Sequence, residues 1–146
     1  MTTSISGISA RSLSRPRAVL FSVLLALVLN LVLWVIGLAA GGNFELTDAG
    51  TTMAVAPGGV VMLTVVPMVV GMGVAALVSL KWLPVVRIAQ VVGVVAPLGT
   101  IAMTVAADFD AASTITLALM HVVIAVVVPL GLEALRRGAV GSGQSR

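Results

Sequence analysis

The chain contains a single histidine, His121, set in an apolar stretch with no other ionisable side chain, Ser113–Leu132. Within hydrocarbon an ionisable group is expensive to keep. An imidazole there is read as a proton relay, a pH sensor, a ligand contact, or a neutral group that hydrogen-bonds a neighbouring helix. Counted inward from the outer ends of their stretches at about 1.5 Å per residue, His121, Asn30, Thr100 and Pro67 come out at similar depths, roughly 9–15 Å. With Thr64, which lies on an inward stripe of its own stretch, the polar members make one candidate intramembrane cluster: Asn30, Thr64, Thr100 and His121. No carboxylate accompanies the histidine inside a stretch, which favours interhelical hydrogen bonding over proton transfer.

Other chemistry is missing. There is no cysteine, and the acidic residues Glu45, Asp48, Asp108, Asp110 and Glu133 all lie outside the apolar stretches. That leaves no thiolate site, no metal triad, no nucleophile with a base and no paired carboxylates. Gly71-Met72-Gly73 is a GxG without a preceding strand, so it is a packing feature and no dinucleotide fingerprint. The expectation is a non-enzymatic protein with no catalytic, cofactor-binding or metal-binding residues and no cofactor.

The elements that must position the cluster are four apolar stretches, Ala18–Ala40, Val60–Leu80, Val86–Ala106 and Ser113–Leu132. Each can cross a bilayer, since about 20 apolar residues cover the hydrocarbon core. With 60% hydrophobic and 9% charged residues, a water-soluble domain is excluded. The basic residues Arg11, Arg15, Arg17, Lys81, Arg87, Arg136, Arg137 and Arg146 fall at one set of stretch ends, while Glu45, Asp48, Asp108 and Asp110 fall at the other. The positive-inside rule then places both termini and the middle loop in the cytoplasm and two acidic loops outside. The fold class expected is an all-α membrane protein, an antiparallel bundle of four transmembrane helices, multi-pass in the plasma membrane. Its parts are a cytosolic tail (1–17), a four-span membrane domain (18–132) and a second cytosolic tail (133–146). The bilayer is the expected partner, with a homo-oligomer or another membrane protein as a further one. Nucleic acid is not, because the basic residues flank spans and are not interleaved with aromatics. The first stretch exceeds the roughly 7–15 residues of a signal-peptide core and reads as a retained anchor.

The connections are short except one. Lys81–Val85, with Trp82 and Pro84, forces the second and third spans into a hairpin. Gly41–Gly59 contains two short runs around Asp48-Ala49-Gly50, consistent with a small β-hairpin on the outer face. In Ala107–Ala112 the acidic turn is followed by Ser113 or Thr114 as helix cap. Along each span small and polar residues recur every three or four positions: Ala26, Asn30, Gly37, Gly41; Thr64, Pro67, Gly71, Ala75; Gln90, Gly93, Pro97, Thr100, Thr104; Thr114, Ala118, His121, Ala125. These are the inward faces, because lipid supplies no hydrophobic drive and helices associate through close backbone approach and hydrogen bonds. Pro67, Pro97 and Pro129 should bend their helices; such bends either open a cavity or fit the helices around one another, and the second reading is favoured.

An Arg-bearing N-terminus, a mid-span Asn30, a Phe44-containing loop ending in Pro57-Gly58-Gly59, a proline-broken second span, an acidic turn and Leu119-Met120-His121 together resemble a family of small four-helix membrane proteins of high-GC Gram-positive bacteria, grouped as a domain of unknown function. The resemblance implies topology and draws attention to His121 without implying an activity. Small multidrug transporters share the size and span count but carry a membrane-embedded glutamate in the first span, where this chain has Asn30. The function expected is a structural or accessory component, or a binder of a lipid or small apolar ligand. The alternative is a small oligomeric transporter or channel using the His121/Asn30 cluster.

Overall fold

The computed structural model describes residues 14–48 and 50–143; the tail readings that concern 1–13 and 144–146 lie outside these. The elements run α1 (Arg15–Ala39), β1 (Glu45–Asp48), β2 (Thr51–Ala54), α2 (Pro57–Val78), α3 (Val85–Ala106) and α4 (Ala111–Gly143). Four helices are long and apolar enough to span a membrane. Uninterrupted helix is what such sequences must form in hydrocarbon, where every backbone N–H and C=O has to be satisfied within the segment.

The helix ends have local causes. Prolines stand in the first turns of α1 (Pro16) and α2 (Pro57), where the missing N–H would have had no partner. At the end of α1, Gly41 takes φ +90°, its N–H bonds Leu38 O at 3.0 Å and Gly42 N–H bonds Gly37 O at 2.9 Å. That is the Schellman arrangement, in which glycine tolerates the left-handed turn. Gly41 is therefore a helix stop and not an inward packing residue. Asp110, not Ser113 or Thr114, caps α4: its Oδ1 accepts the Ser113 N–H at 2.9 Å. A carboxylate three residues before a free N–H satisfies it and favours the positive end of the helix. At its other end α4 continues well past Leu132, with Glu133 paired to Arg136 at 2.8 Å and Arg137 at 3.0 Å.

The outer connection is the expected hairpin. β1 and β2 pair antiparallel with Glu45 opposite Ala54 and Asp48 opposite Thr51, and Gly50 at φ +80° serves the two-residue turn.

α4 is the axis, with α1 and α3 packed antiparallel along it and α2 packed on α1; α2 meets α3 and α4 only sparsely. Glycines set the close approaches. A Cβ on Gly131 would collide with the Ser22 hydroxyl of α1 and lie 2.9 Å from Met72 Cε of α2, and one on Gly93 would collide with Val128. Ser22 can sit so deep because its hydroxyl donates to Ala18 O at 2.9 Å. Around these points Ala26, Met72, Ala75, Leu132 and Leu135 form the core. Leu63, Val91, Val95 and Met103 stand exposed on the outside, as lipid-facing positions should.

On α2 the buried line is Val60, Thr64, Met68, Met72 and Ala75. Pro67 and Gly71, expected on the packing face, are exposed, and a Cβ on Gly71 would meet nothing within 4 Å. The two methionines explain the shift. Flexible thioethers fill the irregular gap against α1 and α4, which turns the small residues one helical step away.

Candidate functional site

Three of the candidate cluster residues come together. Asn30 is 1% exposed, and its Nδ2 donates to Thr64 Oγ1 at 2.9 Å, tying α1 to α2. His121 of α4 lines the same small chamber, about 80 Å³, whose walls are completed by Val55, Leu63 and Met120 among others. The His121 ring does not bond Asn30. Its Nδ1 stands 2.7 Å from the carbonyl of Leu117, one turn earlier. A carbonyl only accepts, so in the neutral ring Nδ1 carries the proton and the other ring nitrogen is a bare acceptor. Asn30 Oδ1 is buried without a hydrogen-bond partner.

Thr100 is elsewhere. It is exposed on α3, and its hydroxyl donates to Ala96 O at 2.9 Å; Thr104 likewise donates to Thr100 O at 3.3 Å. A helical threonine can satisfy its hydroxyl one turn back, so its presence in a span demands no second helix. The stripes alone could not separate Thr64 from Thr100.

Pro67 and Pro97 do not simply fit the helices together. With Gly71, Gly93 and the α4 side chains Ile124 and Val128 they border an apolar crevice of about 210 Å³ between α2 and α3, floored by α4. Pro67 and Pro97 lie where these two helices part, and Gly71 leaves the wall there without a side chain.

Two further polar assemblies sit at the opposite ends of the helices. At the basic end Gln90 Nε2 donates to Pro129 O at 3.1 Å and lies 3.5 Å from Glu133 Oε2, so α3 is tied to the α4 ion pairs. At the other end the hairpin is locked onto α4. Phe44 N–H donates to Ser113 Oγ at 2.8 Å, Asn43 N–H donates to Asp110 Oδ2 at 3.1 Å, and the Ser113 hydroxyl donates to Asp110 Oδ2. The Phe44 ring is 1% exposed and rests 6.0 Å from the Trp34 ring, whose Nε1 donates to Val55 O at 3.1 Å. Gly37 makes the room: a Cβ there would come within 2.6 Å of both the Phe44 ring and the Thr116 hydroxyl. Phe44 holds φ +54°, a left-handed conformation costly for a bulky residue and kept only where its surroundings impose it. The Ser113 hydroxyl first, then the Ser113, Asn43 and Ala112 backbone N–H groups, hold the Asp110 carboxyl below its ordinary pKa. A lone phenylalanine in a polar loop was the only sequence signal for this lock, since Ser113 and Asp110 read equally well as ordinary capping residues.

No curated protein and no solved structure matches the chain. A family model described as a family of unknown function (DUF6069) matches residues 10–138.

Proposed function

The chain belongs to this family of unknown function, DUF6069, which supplies a grouping and no activity, and we propose that it is a non-enzymatic plasma-membrane protein that holds a lipid acyl chain in the crevice between α2 and α3. The observation that carries this reading is the sparse contact between two helices that follow each other in a short hairpin, with Pro67, Gly71, Gly93 and Pro97 around the opening. In hydrocarbon an apolar crevice open at its side does not stay empty. Its natural occupant is a bilayer chain, because nothing polar borders it to select another ligand.

The test uses phosphatidylcholine carrying a diazirine in its acyl chain, with the protein in nanodiscs. Labelling is expected to concentrate on Met68–Met72 and on the facing part of α3, and Gly71→Trp, which fills the opening, should reduce it several-fold while the fold is retained. Labelling spread evenly over the outward residues of all four helices, and indifferent to Gly71→Trp, would remove the crevice from consideration.

The orientation proposed has both termini in the cytoplasm. It is supported by the gathering of Arg15, Arg17, Lys81, Arg87, Arg136 and Arg137 at the helix ends opposite the hairpin and Asp110. A reporter active only outside the cell should work when inserted at Asp48 and stay silent at Arg146. Activity at Arg146 would invert the topology.

The oligomeric transporter reading has less to stand on. It called for a polar stripe facing outward, and Thr100 does face outward, yet its hydroxyl is already satisfied within α3.

A further inference from the structure

The chamber between α1, α2 and α4 presents two acceptors to which no described residue donates a hydrogen bond. Asn30 gives one amide N–H to Thr64, and its Oδ1 is buried and unpaired. His121 lines the same chamber, and because its Nδ1 faces the Leu117 carbonyl, the second nitrogen of the neutral ring is a bare acceptor. A buried carbonyl oxygen without a partner costs free energy on the scale of a lost hydrogen bond, and nowhere more than in a low-dielectric surrounding. Such an atom at the wall of a cavity calls for an occupant that donates.

The surroundings narrow the occupant's chemistry. A cation could satisfy two acceptors, but no carboxylate lines the chamber to balance its charge and the desolvation penalty would stand uncompensated. A purely apolar occupant would leave Asn30 Oδ1 as orphaned as before. The volume of about 80 Å³ exceeds what one water needs and falls far short of a drug-sized ligand. We infer that the chamber is a binding site for a pair of O–H donors, one to Asn30 Oδ1 and one to the free nitrogen of His121, because a single alcohol group has only one hydrogen to give. Two sources supply that chemistry. One is water. The other is a pair of neighbouring hydroxyls on an amphiphile, since the chamber and the acyl-chain crevice share Ile124 as a wall. The site does not depend on the crevice being occupied.

The single histidine makes the test direct, because selective ¹⁵N-histidine labelling yields one imidazole. Protein in nanodiscs of synthetic phosphatidylcholine, which has no hydroxyl, is compared with protein in nanodiscs of lipid extracted from its own membrane. The expected spectrum has Nδ1 protonated and Nε2 unprotonated, with magnetisation transferred to Nε2 from a hydroxyl proton. Transfer in both preparations identifies water; transfer only with native lipid identifies a carried hydroxyl-bearing amphiphile. Asn30→Leu should reduce the transfer several-fold, and Thr100→Val, outside the chamber, should leave it unchanged. A protonated Nε2 with a bare Nδ1, or no hydroxyl proton near the ring in either preparation, overturns the inference. Spectra of the unsubstituted protein alone separate these outcomes, so failure of Asn30→Leu to fold does not blunt the test.

Discussion

Gly131→Leu is expected to destabilise the folded protein by about 3 kcal/mol, the upper part of the range for forcing extra carbon into a packed interior. At Gly131 three helices converge: the first added carbon would collide with the Ser22 hydroxyl of α1 and press on Met72 of α2. Ser22 cannot easily yield, because it is buried and its hydroxyl is bonded to Ala18 O. Relief would require α1 and α4 to separate along their shared length. The matched control is Gly71→Leu, whose new side chain enters the open crevice and should shift stability by less than about 0.5 kcal/mol, as an uncrowded surface change does. Thermal unfolding of both variants in one detergent measures the contrast. Equal losses at the two positions would mean that α2 packs through Gly71 after all.

Phe44→Ala should cost about 3 kcal/mol, as other buried phenylalanine truncations do, and its effect should be confined to the hairpin end of the helices. The ring fills the space made by Gly37 against Trp34 and Thr116, while its backbone N–H reaches Ser113. Removing it takes away the contact that holds φ at +54°, and the hairpin should come free of α4. Amide hydrogen exchange would then rise across residues 43–54 and at Ser113, with α2 and α3 unaffected. Acid should open the same lock by another route. Because the Asp110 carboxyl is held below its ordinary pKa in the folded protein, its contribution is complete at neutral pH and is lost as pH falls through the folded value. Asp110→Asn should exchange at neutral pH as the unsubstituted protein does in acid. Exchange at Asn43 and Phe44 that ignored both Asp110→Asn and acid would show that the ring alone holds the hairpin.

Much of this architecture was legible in one dimension because hydrocarbon leaves the chain so few choices. Backbone groups without water must form helices, spans must be about bilayer-long, and arginines collect at one set of ends. Those constraints located four helices and the hairpin from composition, length and turn residues. They also placed Ala26, Asn30 and Gly37 on the buried side of α1 and Thr64 on that of α2, since a single strong interhelical seam governs each of those positions.

What the linear pattern left open was which helix each stripe faces. A residue's angle about its own helix and its depth are sequence properties; the neighbour across from it is not. Thr64 and Thr100 both stood on stripes expected to face inward, yet one accepts from Asn30 and the other turns outward. Gly71 and Gly131 are equally small, yet one borders a crevice and the other a three-helix contact. The Asp110–Ser113–Phe44 lock joins residues 69 positions apart, a distance over which no local periodicity operates. The tertiary structure decided these points by making α4 the axis and parting α2 from α3, because helix packing in lipid is settled by shape, through glycine clearances and methionine filling. Solvent exclusion, which writes its pattern into soluble sequences, has no hold there.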